Sequence, residues 1–498
     1  MRKDRETVAI IDIGSNAVRL LVYHDLCRVP VPMHTERNIC GLGKTLGKTG
    51  LLNPEGVVSA MDSLARFSAL IKAMRIKTVL TVGTAALREA KDGAKFVNTV
   101  KLKHGLHINI VSGEEEARLS ALGVIANHGQ VDGFIGDFGG GSLEIIGIEN
   151  GKLTSQDSYP VGALRVLSHD SQKDRLAYID LHLKNANLEQ FKGRNFYILG
   201  GAWRSLARAH IFMEDYPIQV LDNYRMTGQE AARFADMVSK QNTKSLERMA
   251  GLPKRRVQDM PAAALVFKRV LDIAKPEQII FSGTGLREGL MYDQLAPATK
   301  QMDPLISACR EIAIETSRFS TERELIDLAK WILPLFPKAD AAWLKTIQAA
   351  ALLSDVGWFE HEDHRPKHAY NRVLNMPLYG LNHQRRAILA ISEYVRHKGY
   401  LRKLGRGGKH ETTEAAQKIL TPSQRDEAVV LGLVMRLAYV LTGGALGLLK
   451  YAELSLTPKF FKLILKGKHT GLSGEIVEDL MQQIAQQIGR EARVKIKA

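Results

Sequence analysis

The chain has 498 residues, 45% hydrophobic and 24% charged, an ordinary globular composition that is too long for a single domain, so about two to four are expected. Three cysteines, Cys27, Cys40 and Cys309, are an odd number at spacings that fit no zinc pattern, which excludes a disulfide framework and points to a reducing, cytoplasmic setting. The formal net charge of +16 favours an anionic partner.

The first strong element is TVAIIDIGSNAVRLLVYHD. An apolar run from Val8 to Ile13 stops at Gly14-Ser15-Asn16, and a second run follows through Val22, which predicts strand, tight turn, strand. The first run is too short for a signal-peptide core and contains Asp12. Asn53-Pro54 predicts a helix start, with a capping side chain before a proline that needs no amide hydrogen, and Val57, Met61, Leu64 and Ile71 continue at helical spacing. Lys77 to Thr84 predicts a strand, Ala85 to Ala90 a helical turn, and Ile108 to Val111 a short strand. Ser112-Gly113-Glu114-Glu115 is a capping-box pattern opening a helix. GFIGDFGGGSLEIIGIENGK then repeats the opening grammar, with Asp137, a glycine turn, an apolar run and an Asn150-Gly151 hairpin turn. Two such copies predict a duplicated α/β architecture.

Strands Phe196 to Leu199 and Gln278 to Phe281 follow, each ending in a glycine-containing loop. Beyond about residue 300 strands become scarce and helical patterns such as Arg323 to Leu335 and Ile388 to Val395 dominate. The expected organisation is therefore 1–125 and 126–300 for the two α/β halves and 301–498 for a helical domain. The apolar stretch Ala428 to Leu449 carries Arg436 and two glycines, so it predicts a buried helix and not a membrane span. Lys398 to His410, with Arg402, Lys403, Arg406 and Lys409, predicts a basic loop.

The chemistry concentrates in the two glycine loops. Glycines let the backbone approach an anion and aim successive amides at it, and both Gly14-Ser15-Asn16 and Gly139-Gly140-Gly141-Ser142 qualify. Asp12 and Asp137 precede them, and carboxylates beside phosphate cradles suit a hard divalent ion. Glu144 lies two residues past Ser142 on the departing strand, on the same face. Gly47-Lys48-Thr49 resembles the end of a P-loop, but that pattern needs glycine where Leu42 stands. In Glu114-Glu115-Glu116, Glu114 suits the helix dipole and Glu115 the capping box, which leaves Glu116 without a structural task and available as a base. Arg88, and likewise Arg19, reads either as a surface arginine or as a planar fork for phosphate.

DIGSNAVRL, GTAALRE, SGEEEAR, DFGGGSLEI, Gly200-Gly201 and SGTGLREG together resemble the exopolyphosphatase / guanosine pentaphosphate phosphatase family, in order, over roughly residues 7 to 295. The resemblance implies two actin-like, ribonuclease H-like halves around a cleft, with the phosphate loops facing each other. It implies Glu116 as the catalytic glutamate and Arg88 as the arginine of the T-x-A-x-R motif. It also implies Asp12, Asp137 and Glu144 as ligands of Mg2+ or Mn2+. The sequence departs from the family at Leu143, where threonine is common, and at Ala202-Trp203-Arg204, where small and hydroxyl residues are usual; the latter argues against an adenine pocket.

The C-terminal part resembles an all-α HD-type domain with a degenerate metal site. Ser354 stands where the histidine before Asp355 belongs and Tyr439 where the last aspartate belongs, so His364, His368 and His383 are not expected to hold a metal pair. The resemblance implies an exopolyphosphatase releasing orthophosphate processively from inorganic polyphosphate, with guanosine pentaphosphate as the alternative substrate. A kinase and a non-catalytic anion sensor are rivals of other classes. Polynucleotide and membrane are not expected as partners, a homodimer is, and the basic loop with Lys466 and Lys468 supplies candidate contacts for the polymer.

Overall fold

A computed structural model describes residues 6–248, 257, 259–400, 413–467 and 469–497. The chain divides into two compact units, Met1–Met302 and Asp303–Ala498.

The first unit contains two sheets built on one plan. Strands β1 (Val8–Ile13), β2 (Ala17–Tyr23), β3 (Pro32–Ile39), β4 (Thr78–Gly83) and β5 (Asn109–Ile110) lie in the order β3-β2-β1-β4-β5. The first three form an antiparallel meander, and β4 and β5 join β1 in parallel. Strands β6 (Gly133–Phe138), β7 (Leu143–Glu149), β8 (Lys152–Tyr159), β9 (Phe196–Leu199), β10 (Arg225–Thr227) and β11 (Gln278–Phe281) lie in the order β10-β11-β9-β6-β7-β8. Here β6, β7 and β8 are the meander, and β9 and β11 are the parallel strands. The second sheet thus repeats the first and adds β10 at one edge. Asn150 and Gly151 take φ of 51° and 74° between β7 and β8, the left-handed pair that a two-residue hairpin turn needs.

Helix α1 (Pro54–Ala73) buries Ala60, Leu64, Phe67 and Ile71, a single stripe at helical spacing. Its expected cap is not made: the Asn53 side-chain amide donates to Gly41 O at 3.2 Å instead. Helix α2 (Gly113–His128) begins with Ser112 accepting from the Glu115 amide at 3.1 Å. The reciprocal arm of the predicted capping box is absent, because the Glu115 carboxylate pairs with Arg118. Helices α3 (Gly201–Met213), α4 (Met260–Ala274) and α5 (Leu286–Asp293) complete the elements around the cleft.

Helix α2 is wedged between the sheets. A Cβ on Gly123 would lie 2.1 Å from Gly285 O, and one on Gly289 would lie 1.8 Å from Leu119 O, so α2 and α5 meet backbone to backbone and tolerate only glycine at these points. Arg118 joins Asp293 at 2.8 Å, and Thr284 Oγ1 donates to Gly123 O at 2.7 Å. Arg28, whose guanidinium lies 5.0 Å over the Tyr292 ring of α5, donates from Nη1 to Ala126 O at 2.7 Å. A boundary at 125/126 therefore falls inside the last turn of α2, and the helix belongs to both halves.

The second unit is mainly helical, with α6 (Ala341–Leu353), α7 (His383–Lys398), α8 (Pro422–Thr442) and α9 (Glu475–Gln487) among its longer helices. It is not all-α. Strands β12 (Ala452–Leu456), β13 (Phe460–Lys466) and β14 (Glu491–Lys497) form a three-stranded sheet, with β13 and β14 parallel. The apolar stretch from Ala428 lies within α8 and the short 3-10 turn that follows it, and no helix among the described residues is long and apolar enough to cross a membrane. Ser354 and Tyr439 hydrogen-bond to each other through their hydroxyls at 2.8 Å. Asp355 beside them accepts from Arg318 and Arg396, and Arg396 lies 3.8 Å over the Tyr439 ring. His368 pairs with Glu360 at 3.3 Å, His364 and His368 have ring centroids 6.2 Å apart, and His383 is buried. Among the described residues no group of three His, Cys, Asp or Glu is arranged to enclose a metal ion. Arg402, Lys403, Arg406, Lys409 and Lys468 lie outside the described residues.

Candidate active site

Each glycine loop connects the first two strands of its sheet, and each closes in the same way. The Gly14 amide donates to Ala17 O at 3.0 Å, and the Gly139 amide donates to Ser142 O at 2.9 Å. The acid before each loop sits at the end of the central strand. Asp12 pairs in register with Arg19, and Asp137 pairs with Glu144. The loops face each other: a Cβ on Gly141 would lie 3.7 Å from Ser15 Oγ, and one on Gly140 would lie 3.7 Å from Ser15 Cβ. Between the sheets lies a cleft of about 240 Å³, into which Gly14, Ser15, Asn16, Gly139, Gly140, Gly141 and Ser142 all open. Asp12, Asp137, Glu144 and Glu116 line the same cleft.

Glu116 reaches the cleft from the first turn of α2. Arg88, on the short helix Ala85–Glu89, does not line the cleft. Its Nη1 donates to Glu116 Oε2 at 3.0 Å and to Val111 O at 2.8 Å, so the group expected on phosphate oxygens holds the glutamate instead. Burial pushes the Glu116 carboxyl well above the usual carboxylate range, against the pull of Arg88. Burial also raises Glu144, as do the negative charges of Glu116 and Asp137. Glu144 is 3% exposed and accepts from Ser142 Oγ at 2.5 Å and Ser158 Oγ at 3.2 Å. Burial raises Asp137 too, while Ser120 Oγ, one turn past Glu116, donates to its Oδ2 at 2.8 Å.

Four arginines share the cleft with these acids: Arg19, Arg37, Arg204 and Arg287. Burial lowers Arg19 and Arg204 to about 10, which leaves both charged at neutral pH. For Arg287 the cost of burial is outweighed by Glu288 and Asp12, the latter 3.7 Å away. Sequence reasoning flagged Arg19 without deciding for it and missed the others. Arg287 lies in SGTGLREG and Arg204 in the departure Ala202-Trp203-Arg204, and neither carries a local sign of a cleft role. Arg37 sits on β3 with no local signal. Trp203, next to Arg204, is wholly buried; it stacks on Phe138 at 5.0 Å and donates to Ala263 O at 2.9 Å. Arg204 donates to Ser282 O at 2.9 Å and Thr284 O at 3.3 Å, tying α3 to the loop after β11.

The carboxylates fit a hard divalent cation by donor type. Asp12, Asp137 and Glu144 offer oxygen ligands, and the serine contacts fix the orientation of two of them. Among the described residues no three acids form a ready metal cage; Mg2+ in general keeps several waters and takes part of its shell from substrate phosphate.

Duplicated meanders with opposed glycine loops, acids at the strand ends and a basic cleft define an actin-like α/β protein built to hold phosphate. Residues 22–298 match the Ppx/GppA phosphatase family, and residues 305–495 match the exopolyphosphatase C-terminal domain. The chain belongs to the Ppx/GppA phosphatase family. It is similar to Retrograde regulation protein 2 of Saccharomyces cerevisiae, 25% identical over 444 residues that cover 78% of this chain and 72% of that protein. The fold matches the Aquifex aeolicus member of the Ppx/GppA family with a TM-score of 0.50, at 24% identity over 57% of this chain and 96% of that one. It also matches an exopolyphosphatase from Cytophaga hutchinsonii with a TM-score of 0.52, at 23% identity over 58% of this chain and 97% of that one.

Proposed function

We propose that this chain is an exopolyphosphatase that cleaves the terminal phosphoanhydride of inorganic polyphosphate. The observation that carries the reading is Glu116, held by Arg88 at the cleft into which both glycine loops open. The terminal phosphoryl group sits between the loops, where backbone amides meet its oxygens. Arg19 and Arg287 offset the charge of the following phosphates. Glu116 orients a water and accepts its proton as the water oxygen attacks phosphorus. The bond to the bridging oxygen breaks, and the electrons stay on the shortened chain. Orthophosphate leaves without a covalent intermediate. Mg2+ or Mn2+ held by Asp12, Asp137 and Glu144 would supply charge neutralisation on the phosphates.

The test measures phosphate release from long-chain polyphosphate and from guanosine pentaphosphate at matched concentrations, for the wild type and Glu116→Gln. The reading expects faster release from polyphosphate and loss of turnover by about 10²–10⁴ in the variant, with binding retained. Preference for the nucleotide would move the substrate to the other phosphoanhydride. Full activity of the variant would refute the assigned base.

A further inference from the structure

The second glycine loop leans on a short helix, Ala163–Leu167. The Ala163 amide donates to Gly139 O at 3.1 Å and the Leu164 amide to Gly140 O at 2.9 Å. A Cβ on Gly162 would lie 2.3 Å from Gly141 C, so the helix starts in direct backbone contact with the loop. The next side chain, Arg165, reaches across to the first half, where its Nη2 donates to Glu89 Oε2. Glu89 ends the short helix Ala85–Glu89, and its neighbour Arg88 holds Glu116 at 3.0 Å. Adjacent residues on a helix point about 100° apart, so this one turn holds Glu116 with one side chain and Arg165 with the next. The turn is itself fixed to the first sheet: the Thr84 amide donates to Ile13 O at 3.1 Å, and Ala85, Ala86 and Leu87 are buried. Among the described residues Arg165 and Glu89 have no other ion-pair partner.

We infer that Arg165 and Glu89 are positioning residues, whose ion pair fixes the Glu116 carboxylate relative to the second glycine loop. The inference rests on the hydrolase reading above and names the contact that aligns the base with a phosphoryl group on that loop. The contacts run without a break from Gly140 O through Leu164, Arg165, Glu89 and Arg88 to Glu116 Oε2. Helix α2 fixes where the backbone of Glu116 stands, and this second tie fixes where its carboxylate points. Stability is not what the pair supplies. The two side chains are 32% and 37% exposed, and ion pairs in that setting add little to folding. Alignment is far more sensitive, since displacing a reacting group by about 1 Å can cost about 10²-fold in rate. Neither residue lines the cleft, so the pair acts on turnover through Glu116 and the loop and leaves substrate contacts alone.

The full chain is assayed with Mg2+ and polyphosphate as Glu89→Arg, as Arg165→Glu and as the two combined. Each single reversal sets like charges together and should lower kcat about 10- to 10²-fold, with KM within about twofold. The swap restores an ion pair and should recover most of kcat. The urea midpoint should differ little among the four proteins, which separates lost alignment from lost folding. Hydrogen exchange is read in parallel, without substrate, over residues 84–90 and 139–167. Each reversal should weaken protection in both segments together, and the swap should restore it. If the wild type releases phosphate from neither polyphosphate nor guanosine pentaphosphate, the hydrolase reading fails on its own; joint protection of the two segments then still supports the tie, and independent protection overturns it. In an active enzyme, reversals that keep the wild-type kcat would overturn the inference. So would a swap no faster than the slower reversal, or a loss of kcat matched by a loss of stability.

Discussion

Arg19 and Glu144 occupy the same register position in the two copies of the loop hairpin: Arg19 stands across from Asp12, and Glu144 stands across from Asp137. Duplication supplied two equivalent cradles, and this one position made them unlike. The first loop carries an acid and a base at its root, and the second carries two acids. Carboxyl groups therefore gather at the root of the second loop, and the root of the first carries one group of each sign.

Arg88→Gln removes the group that holds Glu116. The variant should lose turnover by about 10²-fold with little change in KM, because the lost contact orients the base and does not line the cleft. Arg88 also favours the ionised form of Glu116, so its removal raises that carboxyl further. The acid limb of the kcat profile should move to higher pH, and a rate–pH series with both proteins measures the shift.

Ser120→Ala deletes the donor to Asp137 Oδ2 without touching the glycine loops. The concentration of Mg2+ for half-maximal rate should rise about tenfold, the scale at which outer partners of metal ligands act. Titration of activity against Mg2+ checks it, together with thermal melting, which should shift little.

Gly200→Ala should damage the second cradle. Gly200 has φ of +88°, and a Cβ there would lie 2.2 Å from Phe138 O, in the residue just before Gly139. Strain and displacement together should cost about 2 kcal/mol or more, read by chemical denaturation.

Glu393→Gln should flatten the dependence of stability on pH. Glu393 on α7 is wholly buried, and neither carboxyl oxygen has a hydrogen-bond partner among the described residues. Burial pushes it up to about 8, with Arg396 pulling down and Asp355 pushing up. Its folded value lies above its unfolded one, so the fold favours the protonated form. That contribution is complete below the ordinary glutamate range and is lost as pH rises towards 8. Between pH 5 and pH 9 the stability lost in urea unfolding should be a few kcal/mol smaller in the variant than in the wild type, since Glu116 and Glu144 still contribute in both.

The loops and Glu116 were legible because the sequence must spend local residues on them. A phosphate cradle needs adjacent glycines, and an acid left over after the helix start is filled shows itself as surplus. The role of Arg88 was not legible, since whether its guanidinium meets phosphate or Glu116 depends on how two distant segments pack. Arg37, Arg204 and Arg287 converge from three separate elements, and no local pattern marks them. The helical character after residue 300 could be read from periodicity. The terminal sheet could not, because β13 and β14 pair across an intervening helix. Asn53 and Glu115 have the right types for caps, yet nearby partners take their side chains.

Helix α2 is fastened to the first sheet's side through Arg88 and Arg28 and to the second through Ser120 and Gly123. A strut anchored at both ends props the two loops at a set separation. A phosphotransferase on this scaffold must shut around its ligand to keep solvent out. On the hydrolase reading proposed above, a braced mouth leaves water free to enter, and water is the co-reactant of hydrolysis.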